Sequence, residues 1–319
     1  MTTPADIDRA VALLRAGELV AFPTETVYGL GADAHNPAAV AKIYALKRRP
    51  SGHPLIVHLA DAELLPQWAA AVPASARRLA ARFWPGPLTL ILPRAAGVSV
   101  ALTGGEDSIG LRVPAHPVAR QLLAAFGGGI AAPSANRYGR VSPTAAAHVR
   151  EEFGPDAPFV LDGGDCSVGL ESTIVSLVGE PLLLRPGGIA VAELEALVGP
   201  LRRAAAGEGP RAPGTARIHY APATRLAVVA PAALGAAIGA GSAVLARRPP
   251  PAGFAGALWL TAPAEPAAYA HDLYANLRRL DRAGAAAILV EAVPEAPAWE
   301  AVRDRLGRAA AACGAEDSA

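Results

Sequence analysis

The chain has 319 residues, enough for about two domains at roughly 150 residues each, and each can bury a core without disulfide or metal staples. Lys and Arg number 29 against 28 Asp and Glu, a net charge of +1, which argues against a dedicated nucleic-acid-coating module with its large basic excess. Cys166 and Cys313 form no C-x-x-C and exclude a disulfide framework or a zinc ribbon, and Met1-Thr2-Thr3-Pro4-Ala5-Asp6 lacks the basic and apolar regions of a secretory signal, so a cytoplasmic protein is expected.

Short apolar runs alternate with helical patterns. The runs predict strands at Leu19–Pro23, Leu55–Leu59, Leu88–Leu92, Ile109–Val113, Ile130–Ala132, Phe159–Leu161, Thr173–Leu177 and Leu182–Leu184. The periodic segments predict helices at Ile7–Ala16, Pro37–Leu46, Ala74–Phe83, Pro117–Phe126, Pro143–Glu152 and Val191–Leu197. Several open with proline in the first turn, where the missing N–H costs nothing, and Ser142-Pro143-Thr144 reads as a helix start. This mixture indicates an α/β domain over residues 1–200. Residues 201–225 have no apolar periodicity and carry Gly/Pro breaks, so they read as a linker. Beyond it the pattern is strand (Leu226–Val229), helix (about Ala232–Gly239), strand (Ser242–Ala246), strand (Ala257–Thr261), helix (Pro266–Ala283), strand (Ala287–Glu291) and helix (Ala298–Ala311). That alternation predicts a small parallel sheet with crossover helices over 226–319. Leu226–Ala246 is uncharged over 21 residues, a bilayer-crossing length, but its Ala/Gly content and Pro231 favour strand, helix, strand over a membrane span.

Four segments carry candidate chemistry. Pro23-Thr24-Glu25-Thr26-Val27-Tyr28-Gly29-Leu30-Gly31 follows a strand and can line a polar pocket with hydroxyls. Its Gly29-x-Gly31-x-x-Ala34 also resembles a dinucleotide-binding fingerprint, but the first Gly is not at the strand end and no acid sits at 48–54, and a structural turn is the other alternative. Lys47-Arg48-Arg49-Pro50 closes a helix with three cations. They either complement the helix dipole or clamp a phosphate, Lys as a point charge and Arg as a fork. Lys47 is one of two lysines in the chain, the other being Lys42, which suggests a need for a compact ammonium. Pro133-Ser134-Ala135-Asn136 ends a strand, where α/β sheets bind ligands, or forms a plain Ser/Asn turn. The Gly-rich stretch from Asp162 to Thr173, with Ser172 and later Arg185-Pro186-Gly187-Gly188, offers backbone amides and a guanidinium to an anion. No G-x-S-x-G or P-loop appears, and His35, His148 and His271 read as structural or solvated.

In order, P-T-E-T-V-Y-G-L-G, K-x-R-P, L-I-V-H, P-S-A-N with S-P-T, G-x-x-S-T-I-V, L-R-P-G and H-Y-A-P resemble the YrdC-like threonylcarbamoyl-AMP synthases, in their longer two-domain form. The resemblance implies a twisted open α/β sheet with a large cavity and a small Rossmann-like second domain. It implies a nucleotidyltransferase that condenses L-threonine, bicarbonate and ATP to threonylcarbamoyl-AMP and pyrophosphate. Magnesium would be held by the ATP phosphates, with no firm protein metal site. A separate transferase complex would use the adenylate on tRNA, and a weak tRNA contact is a further expectation. Lys47, Arg49, Ser134 and Asn136 match the family's catalytic K-x-R and S-x-N. Thr26, His58, Arg112, the Ala132 backbone and Ser172 match its threonine or carbamate contacts, with Arg112 suited to the carboxylate. His53, Ser108, Ser142, Arg185 and Tyr220 match nucleotide contacts, and Tyr220 would act as a lid. His53 stands where the family commonly has Asn, and the approach to H-Y-A-P, through Arg217 and Ile218, lacks the usual lysine. The alternatives are a non-catalytic YrdC-like RNA-binding protein and a hydrogenase-maturation carbamoyl-transfer protein, which the missing C-x-x-C disfavours.

Overall fold

Local signals start and stop the helices. Thr3 and Asp6 form a reciprocal capping box ahead of the first helix, and Asn36 accepts the amides of Ala38 and Ala39 ahead of the second. The second ends where Arg48 turns left-handed at φ 52° and Pro50 bars continuation. The computed structural model describes residues 2–205, 207–215 and 219–314, in two compact units. The first comprises the described residues of 1–138 and 143–215, the second those of 139–142 and 216–319. Arg217 and Ile218 lie outside the described residues.

The first unit runs α1 (Pro4–Arg15), β1 (Val20–Phe22), β2 (Gly29–Asp33), α2 (Pro37–Lys47), β3 (Ile56–His58), α3 (Leu65–Trp68), α4 (Ala74–Phe83), β4 (Leu88–Pro93), α5 (Val100–Thr103), β5 (Ser108–Arg112), α6 (Pro117–Phe126), β6 (Ile130–Ala131), α7 (Ala146–Phe153), β7 (Phe159–Val160), β8 (Thr173–Ser176), β9 (Leu182–Arg185), α8 (Val191–Val198) and β10 (Arg202–Arg203). All ten strands form one mixed sheet in the order β10-β9-β8-β4-β5-β3-β6-β2-β1-β7.

Strand alternation sorts the side chains onto two faces. On one, Leu30, Val57, Leu90, Ile109, Leu111 and Val175 join α2, α4 and α8 in the largest apolar cluster. On the other lie two smaller clusters. Val20, Phe22, Ile130 and Ala132 pack with α1 and α6, while Ile56, Ile91, Ile174, Leu182 and Leu184 pack with Ala212. Register places His58 opposite Arg112, with Ile56 opposite Gly110 and Ile174 opposite Arg185, so polar side chains share this second face with the two apolar patches.

The structure departs from expectation in three places. Gly29–Asp33, read as a pocket-lining segment or a turn, is a strand, in which a Cβ at Gly31 would come 2.9 Å from both Ile130 Cγ2 and Phe22 Cε1. Both glycines allow close packing, a Cβ at Gly29 coming 3.2 Å from that of Ala132. The helix expected from Pro143 begins at Ala146, since His148 Nδ1 receives the Thr144 amide at 3.2 Å and Cys166 donates to the Thr144 carbonyl. Arg202–Arg203, read as linker, pairs in parallel with β9.

The second unit runs β11 (Leu226–Val229), α9 (Leu234–Ala237), β12 (Ser242–Ala246), β13 (Leu258–Thr261), α10 (Pro266–Asp281), β14 (Ala287–Glu291) and α11 (Glu300–Gly314). Its four strands are parallel in the order β11-β14-β12-β13, and α10 buries Leu273, Leu277 and Leu280 on one stripe. The uncharged stretch from Leu226 to Ala246 is β11, α9 and β12. Among the described residues no helix is long and apolar enough to cross a membrane.

Gly31→Ala is expected to destabilise the chain by about 1–3 kcal/mol in denaturant unfolding, the usual cost of an overpacked core. An unchanged midpoint would show that β2 does not depend on this close approach.

Candidate active site

The polar stripe on the second sheet face is centred on Arg112, the last residue of β5. Its guanidinium is buried and donates to Glu25 Oε1 from Nη2 at 2.6 Å, to Thr26 Oγ1 from Nη1 at 2.9 Å and to the Gly86 carbonyl from Nε at 3.2 Å. Beside it, Ser172 precedes β8, its hydroxyl 2.7 Å from that of Thr89 on β4. Arg185, ending β9, donates to the Ser172 carbonyl at 2.9 and 3.1 Å and to the Pro213 carbonyl at 2.8 Å. His58 ends β3. Its ring lies edge-on to Phe22, and its buried Nδ1 has no hydrogen-bond partner among the described residues.

The segment after β6 builds the second part of the site. Ala132 donates its amide to the Ile56 carbonyl, so any ligand contact from its backbone falls to its carbonyl. Two residues on, the Ser134 carbonyl accepts Lys47 Nζ at 2.5 Å, and the Asn136 carbonyl accepts the same ammonium. Lys47 is 1% exposed. Among the described residues it meets these carbonyls and no carboxylate. Arg49 is likewise buried, donates to the Pro54 carbonyl at 2.9 Å and lies over the Tyr138 ring. Ser108 starts β5 on the same face as Arg112 and is buried. His53 stands edge-on to Tyr138, Nδ1 3.4 Å from its hydroxyl.

Burial sets the protonation of these groups. Desolvation pulls the Lys47 ammonium well below the ordinary lysine value, and the Arg49 charge adds to it against a weaker pull from Glu152. A bound polyanion would oppose both effects. Burial, aided by the Arg112 charge, lowers His58 to about 3, which leaves a neutral imidazole. His53 is lowered by burial, then by Arg49 and Arg211.

Of the residues singled out by sequence, Thr26, Lys47, Arg49, His53, His58, Ser108, Arg112, Ala132, Ser134, Asn136, Ser172 and Arg185 belong to the first unit. Ser142 and Tyr220 belong to the second. Tyr220 is left-handed at φ 63°, buried, and stacked on Tyr274 under the Arg305 guanidinium. Tyr28, expected to line a pocket, is core: its ring is buried and its hydroxyl donates to the Gly164 carbonyl. Sequence reading gave no role to Glu25, Thr89 or Tyr138. Glu25 had a visible cue, a lone acid between two threonines after an apolar strand.

His58 couples stability to pH. Its folded value lies below the unfolded one, so its contribution is complete above about 6.5 and is lost as pH falls from there toward 3. Between pH 7 and 5 the wild type is expected to lose about 2 kcal/mol more stability than His58→Gln, measured by denaturant midpoints. Parallel curves would show that His58 takes up a proton in the folded state.

Residues 12–187 match the Sua5/YciO/YrdC family model, described as telomere recombination, and residues 189–311 match the model described as threonylcarbamoyl-AMP synthase, C-terminal domain. Proteins named threonylcarbamoyl-AMP synthase from Pyrococcus abyssi and Bacillus subtilis are each 46% identical, over 69% and 71% of this chain. The matched stretch spans 66% and 67% of those relatives' own lengths. A crystal structure of P. abyssi Sua5 complexed with L-threonine is similar at a TM-score of 0.87 and 38% identity, covering 96% of this chain and 94% of that one. E. coli YciO is similar at a TM-score of 0.50 and 25% identity, covering 57% of this chain and 88% of that one. With both family models matched in order along one chain, this protein belongs to the two-domain Sua5/YrdC family of threonylcarbamoyl-AMP synthases.

Proposed function

We propose that the protein is an L-threonylcarbamoyladenylate synthase, a nucleotidyltransferase that condenses L-threonine, bicarbonate and ATP. One arrangement carries this reading: the buried cations Lys47 and Arg49, of which Lys47 meets two carbonyls and no carboxylate among the described residues, lie at the segment that continues from β6, next to a stripe built for a small polar molecule, Arg112, Thr26, Ser172 and His58. Bicarbonate loses hydroxide to give carbon dioxide, the threonine amine nitrogen bonds to its carbon, and the amine proton joins the hydroxide as water, leaving a carbamate. A carbamate oxygen then attacks the α-phosphorus, the bond from it to the bridging oxygen breaks, and pyrophosphate leaves.

No covalent protein intermediate is needed, so catalysis is positioning and charge stabilisation. Lys47 and Arg49 hold the phosphates on which charge accumulates. Ser134 and Asn136 present a hydroxyl and an amide to the nucleotide, with Ser108, His53 and Arg185 as further nucleotide contacts. Arg112 meets the threonine carboxylate, and Ser172 and the Ala132 carbonyl contact the amino acid or its carbamate. Neutral His58 offers a lone pair to a substrate N–H. Magnesium supplied with ATP would neutralise its phosphates. The hydroxyl and amide oxygens of Ser134 and Asn136 fit such a hard cation, and no group of three His, Cys, Asp or Glu among the described residues could hold it instead. The adenylate would pass, in the cytoplasm, to a transferase complex that modifies tRNA.

The test is pyrophosphate release from ATP, bicarbonate and magnesium, with and without L-threonine. Threonine-dependent release is expected, falling about 10²–10³-fold in kcat/KM in Lys47→Ala. Lys47→Arg is expected to fail similarly, because a planar fork does not replace a point charge between two carbonyls. Release indifferent to threonine would mean plain ATP hydrolysis. No release from folded wild type, with steeply salt-dependent tRNA binding, would favour the RNA-binding alternative.

A further inference from the structure

The Glu25 carboxylate is buried at the centre of the polar stripe, yet the reaction as described above gives it no task. A buried carboxylate is retained only where it is paired and hydrogen-bonded. Both oxygens are engaged: Oε1 by Arg112 Nη2 at 2.6 Å, Oε2 by the Ala115 amide at 2.9 Å. Glu25 thus ties the loop after β1 to the end of β5 and to the turn that leads into α6.

Arg112 is held from three directions, through Nε by Gly86, through Nη1 by Thr26 and through Nη2 by Glu25. A guanidinium has five N–H groups, and three are used, so two remain for a ligand. The bonds also fix the direction of the neighbouring hydroxyls. Thr24 Oγ1 gives its proton to the Val27 carbonyl at 2.6 Å, so it accepts from Thr26 Oγ1 at 2.8 Å. The Thr26 hydroxyl therefore has no proton left for a ligand, and it also accepts from Arg112. Toward substrate, Arg112 donates and Thr26 accepts.

We propose that Glu25 is a positioning residue for the amino-acid substrate, fixing Arg112 as a donor to its carboxylate and, through Arg112, Thr26 as an acceptor from its amine or hydroxyl. This rests on the synthase reading above. Glu25 touches no reacting atom. It acts by holding the plane of a guanidinium that otherwise has several rotamers. Reach matters more than charge for that task, and this separates it from general electrostatic support.

The experiment compares Glu25→Asp, which keeps the charge and shortens the reach, with Glu25→Gln, which keeps the reach. In Glu25→Asp, KM for L-threonine is expected to rise about tenfold with KM for ATP within about twofold, and Glu25→Gln to rise about threefold. Arg112→Lys should raise the same constant, and combining it with Glu25→Asp should add little, as expected if Glu25 acts through Arg112. If Glu25→Asp does not fold, the split between the two KM values is read on Glu25→Gln. Parallel rises in both KM values, or unchanged KM for threonine, would overturn the proposal. Calorimetric titration of L-threonine without ATP separates the two readings. A wild type that binds threonine but releases no pyrophosphate defeats the synthase reading alone, while equal threonine affinity in wild type and both Glu25 variants defeats the role of Glu25 alone.

Discussion

The Lys47 ammonium lies in the interior against two backbone carbonyls, and much of the site depends on that placement. Such a cation loses its hydration and gains only partial charges in return, which is why its proton is held so weakly. Two features keep it there. The C-terminal turn of α2 ends on a left-handed Arg48, which sends the chain away and leaves Lys47 on the inner side. The Tyr138 amide donates to the Lys47 carbonyl, so the segment that supplies the carbonyls is also tied back to the residue they bind. Lys47 is a preformed donor that meets no carboxylate among the described residues, the condition under which an oxyanion is favoured over water.

The rest of the site follows from strand alternation on one sheet face. Ser108, Gly110 and Arg112 occupy successive positions on that face of β5. Gly110 keeps the middle of the row low: a Cβ there would come within 3.2–3.3 Å of Ile91 and Ile56. The polar groups are flanked by the Phe22–Ile130 cluster on one side and the Ile91–Ile174 cluster on the other. These walls lower the local dielectric and strengthen every charged contact between them. The same walls require that each charge be paired, and Arg112 with Glu25 satisfies that requirement within the protein, whereas among the described residues Lys47 meets only carbonyls.

Most strands and helices were legible because their periodicity and caps are local. Ala74–Phe83, Pro117–Phe126, Leu226–Val229, Ser242–Ala246 and Ala287–Glu291 have the bounds expected from sequence. β2 was not legible, since Gly-Leu-Gly-Ala reads as a turn until Phe22 and Ile130 are known to crowd it. The start of α7 was misplaced because a side chain, His148, competes for the amide that would otherwise open the helix. Lys47 stood out by its rarity and by its place in the cation run that closes α2. The pairing of Arg112 did not, because Glu25 and Arg112 are 87 residues apart and no spacing rule links them.

Ser142 and Tyr220, each picked out within a short motif, are placed by something remote in the sequence. Both lie in segments held by α10 within the second unit. Asp281, at its last turn, accepts the amides of Ala223 and Thr224 at 2.9 and 2.7 Å and pairs with Arg140 at 3.3 Å. Arg278, one turn earlier, donates to the Val141 carbonyl, and Ala221 donates to the Gly139 carbonyl. Tyr274, one turn earlier again, supplies the ring on which Tyr220 stacks. Three residues at i, i+4 and i+7 on one helical stripe therefore fix two chain segments separated by some eighty residues. The same helix buries Leu273, Leu277 and Leu280. The packing of the small parallel sheet and the placement of Ser142 and Tyr220 thus depend on a single element, so a change in the α10 core would be felt at both.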